Sequence, residues 1–163
     1  MGCESQTMRE ITTNTFTTMA PNHYSKLENM YLNGNINTKI YHSTTCKIDL
    51  ERAEIGMNIE DKYFHALGAI HGSVYFKLLD DAAFFAVNSI VEDVFVLTTS
   101  FNINILRPVN KGRITAIGQI KFKSRSLFVA NSTLYNEQGE EIAFGTGNFT
   151  KSKINLKEEI GYK

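Results

Sequence analysis

Residues 72–90, which read GSVYFKLLDDAAFFAVNSI, decide the fold. This stretch has no proline and no internal glycine, and apolar side chains occupy nearly every face of a helix drawn through it. A helix that is apolar all round must be surrounded by other structure, so we predict a long central helix over about 72–90. Two adjacent aspartates, Asp80 and Asp81, lie in its middle. Because buried carboxylates are costly unless they are paired or functional, one of them is a candidate for a functional role.

Strand patterns lie on both sides of this helix. Before it, apolar and polar residues alternate over about 45–60, which predicts one or two strands. After it, four strand candidates follow, at about 93–106, 113–123, 126–136 and 140–150. Their short joints predict antiparallel neighbours along the chain. We therefore expect an α+β domain in which one antiparallel sheet wraps around the helix, with an open edge strand through which two copies can pair.

The two ends of the chain carry weaker patterns. Residues 1–20 are polar and rich in threonine, and we predict a disordered extension there. A short helix is expected from His23 to Leu32, where the run Asn33-Gly34-Asn35 ends it. The single domain is therefore expected to span 21–152, and a charged tail that frays is expected at 153–163.

Composition and patterning exclude several classes of protein. The 17 basic and 17 acidic residues cancel, so no net charge attracts nucleic acid or an anionic membrane. Two cysteines are too few for a disulfide framework, and no Cys and His cluster has the spacing of metal ligands. No apolar run is long enough to span a membrane, and no signal peptide is recognisable. We expect a cytoplasmic protein that binds neither a metal nor nucleic acid nor a membrane.

The predicted start of the long helix is a second chemical feature. A helix N-terminus presents unpaired N–H groups and the positive end of the helix dipole, and Gly72 would let a carbonyl group approach them closely. Such an arrangement can bind the oxyanion of a tetrahedral intermediate. Asp80 lies about 13 Å along the helix from His71. Asp81 is turned by about 100° from Asp80, so the two carboxyl groups cannot share one proton.

These features belong to a longer pattern that resembles a known family. The run 65–80, HALGAIHGSVYFKLLD, is similar to the PaaI-type (phenylacetic acid degradation) branch of the hotdog-fold thioesterases. In that branch a His-Gly-Gly turn opens the central helix and a carboxylate follows at this spacing. The stretch 102–108, NINILRP, resembles the family's strand that ends in Arg-Pro before a hairpin, and 139–147, GEEIAFGTG, resembles its last strand. The resemblance covers about 45–152.

The resemblance implies a fold, an activity and an assembly. The fold would be the hotdog, and the activity would be hydrolysis of an acyl-CoA or related acyl thioester to free acid and thiol. No metal or organic cofactor is expected, since CoA enters as part of the substrate. Subunits would pair as homodimers or homotetramers with sites at the interface.

The resemblance also implies roles for individual residues. Asp80 would be the catalytic carboxylate, acting as general base on water or as nucleophile on the thioester carbonyl. The Gly72 amide would hold the carbonyl oxygen, and His71 would shape that turn. Thr98 falls where a hydroxyl often assists across the subunit interface. Five further residues are assigned to substrate binding, the last three as partners of the CoA phosphates: Ser73, Thr99, Lys123, Arg125 and Ser126.

Two departures from the family pattern keep other functions open. Ser73 replaces the second glycine, and His65 stands where the family frequently has Asn or Gln. His65 can orient water or act as a general acid, because an imidazole titrates near neutrality. His65 with Asp80 is also a pair that a hotdog-fold acyl-CoA hydratase or dehydratase would use. If His65 and Ser73 reflect loss of catalysis, the chain would be a non-catalytic acyl-CoA-binding protein. The primary prediction remains an acyl-CoA thioesterase.

Overall fold

The structure of the chain is a computed structural model that describes residues 22–163. The extension predicted at 1–20 lies outside the described residues. The helices are α1 (His23–Leu32), α2 (Asn35–Lys39) and α3 (Gly72–Asn88). The strands are β1 (Thr45–Asp49), β2 (Arg52–Asn58), β3 (Val94–Ile105), β4 (Arg113–Lys123), β5 (Leu127–Tyr135) and β6 (Glu141–Asn155). Together they form the predicted α+β architecture, in which an antiparallel sheet wraps around one long helix.

The helix α3 is the centre of the core, as its apolar sequence predicts. It ends at Asn88, two residues before the expected end. The sheet approaches it so closely that a Cβ atom on Gly118 of β4 would lie 2.1 Å from the Ala82 backbone oxygen. Seven of its apolar side chains are at most 2% exposed: Val74, Leu78, Leu79, Ala82, Ala83, Ala86 and Val87. The long hydrophobic run is therefore explained by burial between the sheet and α1.

The strand order corrects one expectation from the sequence. The sheet runs β1-β2-β4-β5-β6-β3, and all its neighbours are antiparallel. The pairs β1–β2, β4–β5 and β5–β6 are hairpins, as their short joints predict. The pairing expected between β3 and β4 is wrong, because β3 pairs with β6 at the far edge of the sheet. The joint is long enough for this: three strand spacings are about 14 Å, and seven extended residues reach about 23 Å.

This crossing segment covers the start of α3. The Tyr75 hydroxyl donates to the Arg107 carbonyl at 2.9 Å and accepts from the Val109 amide at 3.2 Å. The Ile70 amide donates to the Val109 carbonyl at 2.9 Å. The helix N-terminus is therefore held in place by the connection that the sequence pattern had suggested was a hairpin.

The C-terminal segment contributes to the packed structure. Strand β6 continues to Asn155, past the predicted strand end at 150. After it, Ile160 packs against the core, and the Tyr162 hydroxyl lies 2.8 Å from His23 Nδ1 of α1. The charged tail expected to fray therefore returns to the first helix. In the described part of the chain, no helix is both long and apolar enough to cross a membrane.

Candidate functional site

The two adjacent aspartates of α3 have different surroundings. Asp80 faces β3, where the Thr98 hydroxyl donates a hydrogen bond to Asp80 Oδ1 at 3.0 Å. Burial raises the pKa of Asp80 to about 6, and the Asp81 charge adds to this rise, whereas the Thr98 hydrogen bond and the Lys77 charge oppose it. A carboxyl group with a pKa near the working pH is suited to accept a proton during a reaction.

Asp81 is instead held in an ion pair. Its Oδ2 atom accepts from Lys77 Nζ at 2.5 Å, one helical turn earlier, and from the Tyr31 hydroxyl at 2.6 Å. Lys77 Nζ also donates to the Tyr31 oxygen at 2.9 Å. Asp81 therefore has a structural partner for its charge, whereas within residues 22–163 the one side-chain hydrogen bond to Asp80 comes from a neutral hydroxyl. The structure thus gives the two adjacent aspartates different surroundings.

A cavity of about 600 Å³ opens beside Asp80 and Thr98. One wall comes from α3 and β3, and the opposite wall comes from α1, α2 and the C-terminal segment. Most of the lining is apolar: Met30, Ile36, Phe84, Phe85, Phe95, Val96, Leu97, Ile154 and Ile160. A mostly apolar cavity with a few polar groups at one side has the character of a small-molecule site, with room for an acyl group next to the carboxylate.

The start of α3 forms a second feature. His71 is its N-cap, and His71 Nδ1 accepts from the Ser73 amide at 3.2 Å and lies 2.8 Å from Ser73 Oγ. Within residues 22–163, the Gly72 amide has no hydrogen-bond partner. It lines a second cavity of about 310 Å³ together with His65, Tyr75 and Arg107. The geometry presents a free backbone donor at the positive end of a helix.

The two features are separated within one chain. Gly72 and Asp80 are eight residues apart on α3, or about 12 Å along its axis. They line different cavities, and His65 lies with Gly72 rather than with Asp80. One carbonyl group of a bound molecule therefore cannot contact both groups of the same chain.

The structure brings Thr98 to Asp80 within one chain, but it places the other predicted binding residues elsewhere. The hydroxyl of Thr99 donates to the Asn148 carbonyl at 3.0 Å. Lys123 pairs with Glu51 at the far end of β4, and Arg125 and Ser126 are exposed in the turn that follows. None of these four lines either cavity of the described chain. Ser73 is engaged with His71 and lines neither cavity.

Sequence reasoning missed the contribution of α1 to the site. Tyr31 reaches across from α1 to Asp81 and Lys77, and it lines the larger cavity with them. The spacing of Lys77 and Asp81, four residues apart on one helix face, is a signal that predicts their pairing. No sequence pattern connects Tyr31 to α3, since that contact joins residues about fifty positions apart.

A family of sequences and several solved structures are similar to this chain. The sequence model of the thioesterase superfamily matches residues 67–143. The PaaI protein of the E. coli phenylacetic acid degradation operon is 20% identical, with a TM-score of 0.73 over 83% of this chain and 100% of that one. A thioesterase family protein from Silicibacter pomeroyi is 24% identical, with a TM-score of 0.69 over 79% and 97% of the two chains. A mutant PaaI from Thermus thermophilus is 20% identical, with a TM-score of 0.61 over 68% and 94%. None of the curated proteins matches the sequence.

The match to the superfamily's sequences and the likeness to solved structures point to the same fold. At these identities the structural likeness shows the fold alone, while the sequence match spans α3, β3, β4 and β5, where Gly72, Asp80 and Thr98 lie. The chain has the hotdog fold, residues 67–143 match the thioesterase superfamily, and the PaaI-type resemblance indicated by the sequence motifs is confirmed.

Proposed function

We propose that this protein is an acyl-CoA thioesterase in which Asp80 is the catalytic carboxylate. The observation that carries the proposal is the setting of Asp80: a half-buried carboxylate, bonded to Thr98, at the edge of a largely apolar cavity of about 600 Å³. The cavity would hold the acyl group and bring the thioester carbonyl to the carboxylate. The match of residues 67–143 to the thioesterase superfamily supports thioester chemistry, and the cavity supports an acyl substrate.

In the proposed reaction the ionised Asp80 takes a proton from water as the water oxygen attacks the thioester carbonyl. The carbonyl oxygen becomes an oxyanion, which the Gly72 amide stabilises. Collapse of the tetrahedral intermediate breaks the carbon–sulfur bond and releases the free acid, and the departing thiolate takes the proton from Asp80 to leave as the thiol. Direct attack by Asp80 on the carbonyl, followed by hydrolysis of the resulting anhydride, would use the same ionised group.

The separation of Gly72 from Asp80 supports a site shared by two subunits. We propose that Gly72 of one subunit and Asp80 of a second meet at one carbonyl, and that two copies of the chain pair along the edge strand β3. Within the described part of one chain, packing gives no reason for glycine at position 72, since an added Cβ would meet only the Ile105 Cδ1 atom there, at 3.6 Å. Close approach of a substrate is the proposed reason.

Gly72→Pro tests the backbone donor directly. Proline removes the N–H, fits the first position of a helix, and follows an extended His71 (φ −65°, ψ 147°) that tolerates it. We expect kcat to fall by about 10²-fold or more with the fold retained. Gly72→Ala keeps the N–H and is the matched control, with a smaller loss. Equal activity of Gly72→Pro and Gly72→Ala would remove the amide from the mechanism.

Mixed oligomers test the shared site. Asp80→Asn and Gly72→Pro proteins are each expected to be inactive alone. Co-expressed with different affinity tags and purified as mixed oligomers, they should regain part of the wild-type activity, because one site then combines an intact Gly72 with an intact Asp80. If both residues act from one chain, mixing restores nothing.

The pH dependence follows from the state of Asp80. Because burial raises the pKa of Asp80 to about 6, the group is protonated and inactive as a base below that pH and ionised above it. We therefore expect kcat/KM to fall as the pH is lowered through about 6, rather than through the range of an exposed aspartate. A plateau extending to pH 4 would contradict the assignment.

Thr98→Val should shift that profile. The Thr98 hydroxyl donates to the ionised carboxylate, and the hydrogen bond lowers the pKa of Asp80. Its removal should move the acid limb of kcat/KM to higher pH, by about one unit or less. Thr99→Val is the matched control, since Thr99 bonds to Asn148 and should leave the limb in place.

A further inference from the structure

Lys77 is an unusually enclosed lysine beside the proposed catalytic carboxylate. Its side chain is 10% exposed, and its ammonium group contacts Asp81 Oδ2 at 2.5 Å and the Tyr31 oxygen at 2.9 Å. The same ammonium lies 4.9 Å from the centre of the Tyr31 ring and 5.0 Å from that of Tyr41. A lysine held by an anion, a hydroxyl and two aromatic faces keeps its charge at a fixed place.

The position of Lys77 on α3 brings that charge to both aspartates. Asp80 and Asp81 follow it by three and four residues, the two spacings at which side chains on a helix are neighbours. The ion pair with Asp81 fixes the direction of the Lys77 ammonium group. Asp80 therefore lies beside a positive and a negative charge that largely cancel. All three side chains line the cavity of about 600 Å³.

The surroundings of Asp80 contain few other groups that could set its charge state. From β3, Thr98 contributes a neutral hydroxyl. On its own helix, Lys77 and Asp81 are the charged neighbours, and they act in opposite directions. From α1, Tyr31 reaches Asp81, and burial and the Asp81 charge raise the pKa of the Tyr31 hydroxyl, which keeps it neutral. Beyond burial and the Thr98 hydrogen bond, the charges of Lys77 and Asp81 are therefore the ones that act on Asp80 in the described chain.

We propose that Lys77 and Asp81 are positioning residues for the hydrolysis: their ion pair, anchored by Tyr31, fixes the field at Asp80 and so sets the pH range in which the carboxylate works. This inference rests on the proposed function. Removing Lys77 would leave the Asp81 charge uncompensated beside Asp80, which disfavours ionisation of Asp80. Removing the Asp81 charge would release the Lys77 ammonium to reach Asp80, which favours ionisation. The two changes should act in opposite directions.

The test is the acid limb of kcat/KM in four variants of the ion pair and one control variant. Lys77→Met should move its midpoint to higher pH and Asp81→Asn to lower pH, each by about one unit. The double variant should return the midpoint close to that of the wild type, because it removes both opposing charges. Lys77→Arg should restore the wild-type midpoint. Lys62→Met, in the exposed Lys62–Glu60 pair, is the control for net charge and should leave the midpoint in place.

A titration of the Asp80 carboxyl carbon by NMR gives the same midpoints without turnover. If the wild type releases no thiol, the proposed function is contradicted, and the NMR midpoints alone decide the present inference. A purely structural role for the ion pair would lower the stability of both single variants and leave their midpoints equal to that of the wild type. Equal midpoints, or shifts in the same direction, would overturn the proposal.

Discussion

Asp80→Asn is expected to lower kcat/KM for acyl-CoA hydrolysis by about 10³-fold, because the amide can neither accept a proton nor attack the carbonyl. The change is nearly isosteric, and the amide oxygen that replaces a carboxylate oxygen could still accept from Thr98. Asp81→Asn should cost less than about tenfold at pH 8, since Asp81 acts on the reaction only through its charge. The comparison of free-thiol release by these two variants separates the adjacent carboxylates.

Stability provides the control for this variant. The pKa of Asp80 is raised in the folded state, so the folded chain binds the proton more tightly than the unfolded chain does. The stability from this group is full below the unfolded pKa of about 4 and is lost as the pH rises through about 6. Asp80→Asn should therefore raise Tm relative to the wild type more at pH 8 than at pH 4. A lower Tm at pH 8 would mean that lost activity reflects damage to the fold.

Gly118→Ala is expected to destabilise the protein by about 3 kcal/mol or more. The new Cβ would lie 2.1 Å from the Ala82 oxygen and 2.6 Å from the Ala83 nitrogen, and both are backbone atoms of the central helix that cannot rotate away. Helix α3 would have to move off the sheet, which opens the core on both sides of it. Urea unfolding followed by circular dichroism measures the loss.

Gly72→Ala is the matched control for that measurement. Among residues 22–163 its Cβ meets only the end of the Ile105 side chain, at an ordinary contact distance of 3.6 Å, and alanine favours the helix over glycine. We expect unchanged or slightly higher stability. If Gly118→Ala were as stable as Gly72→Ala, the close packing of β4 on α3 would be refuted.

The helix α3 was predictable because its sequence leaves no polar face, and such a helix can only lie inside a fold. The strand order was less predictable, because the joint between β3 and β4 is too short to look like a crossover. A seven-residue segment can span three strands when it runs across the end of a sheet that curls around a helix. The hydrogen bonds that hold this segment over the helix start join Tyr75 to Arg107 and Val109, which are more than thirty positions away in the sequence.

The candidate site was predictable where local sequence patterns define it, and unpredictable where it depends on contacts between distant residues. The apolar surroundings pointed to both aspartates, and the family motif selected Asp80. The motif implied that Thr98 assists across a subunit interface, whereas the structure also bonds Thr98 to Asp80 of its own chain. The pairing of Asp81 depends on Tyr31 from α1, a contact that no local pattern encodes. The distance between Gly72 and Asp80 along the helix follows from helix geometry. The two cavities that they line depend on the positions of the strands and the crossing segment, which the sequence pattern does not give.

The most direct test of the central claim is free-thiol release from short, long and aromatic acyl-CoA esters by the folded protein at pH 8, with Asp80→Asn measured beside it. The account predicts turnover of at least one ester by the wild type and loss of that turnover in Asp80→Asn. Folded wild-type protein that releases no thiol from any ester, or an Asp80→Asn variant as active as the wild type, would contradict it.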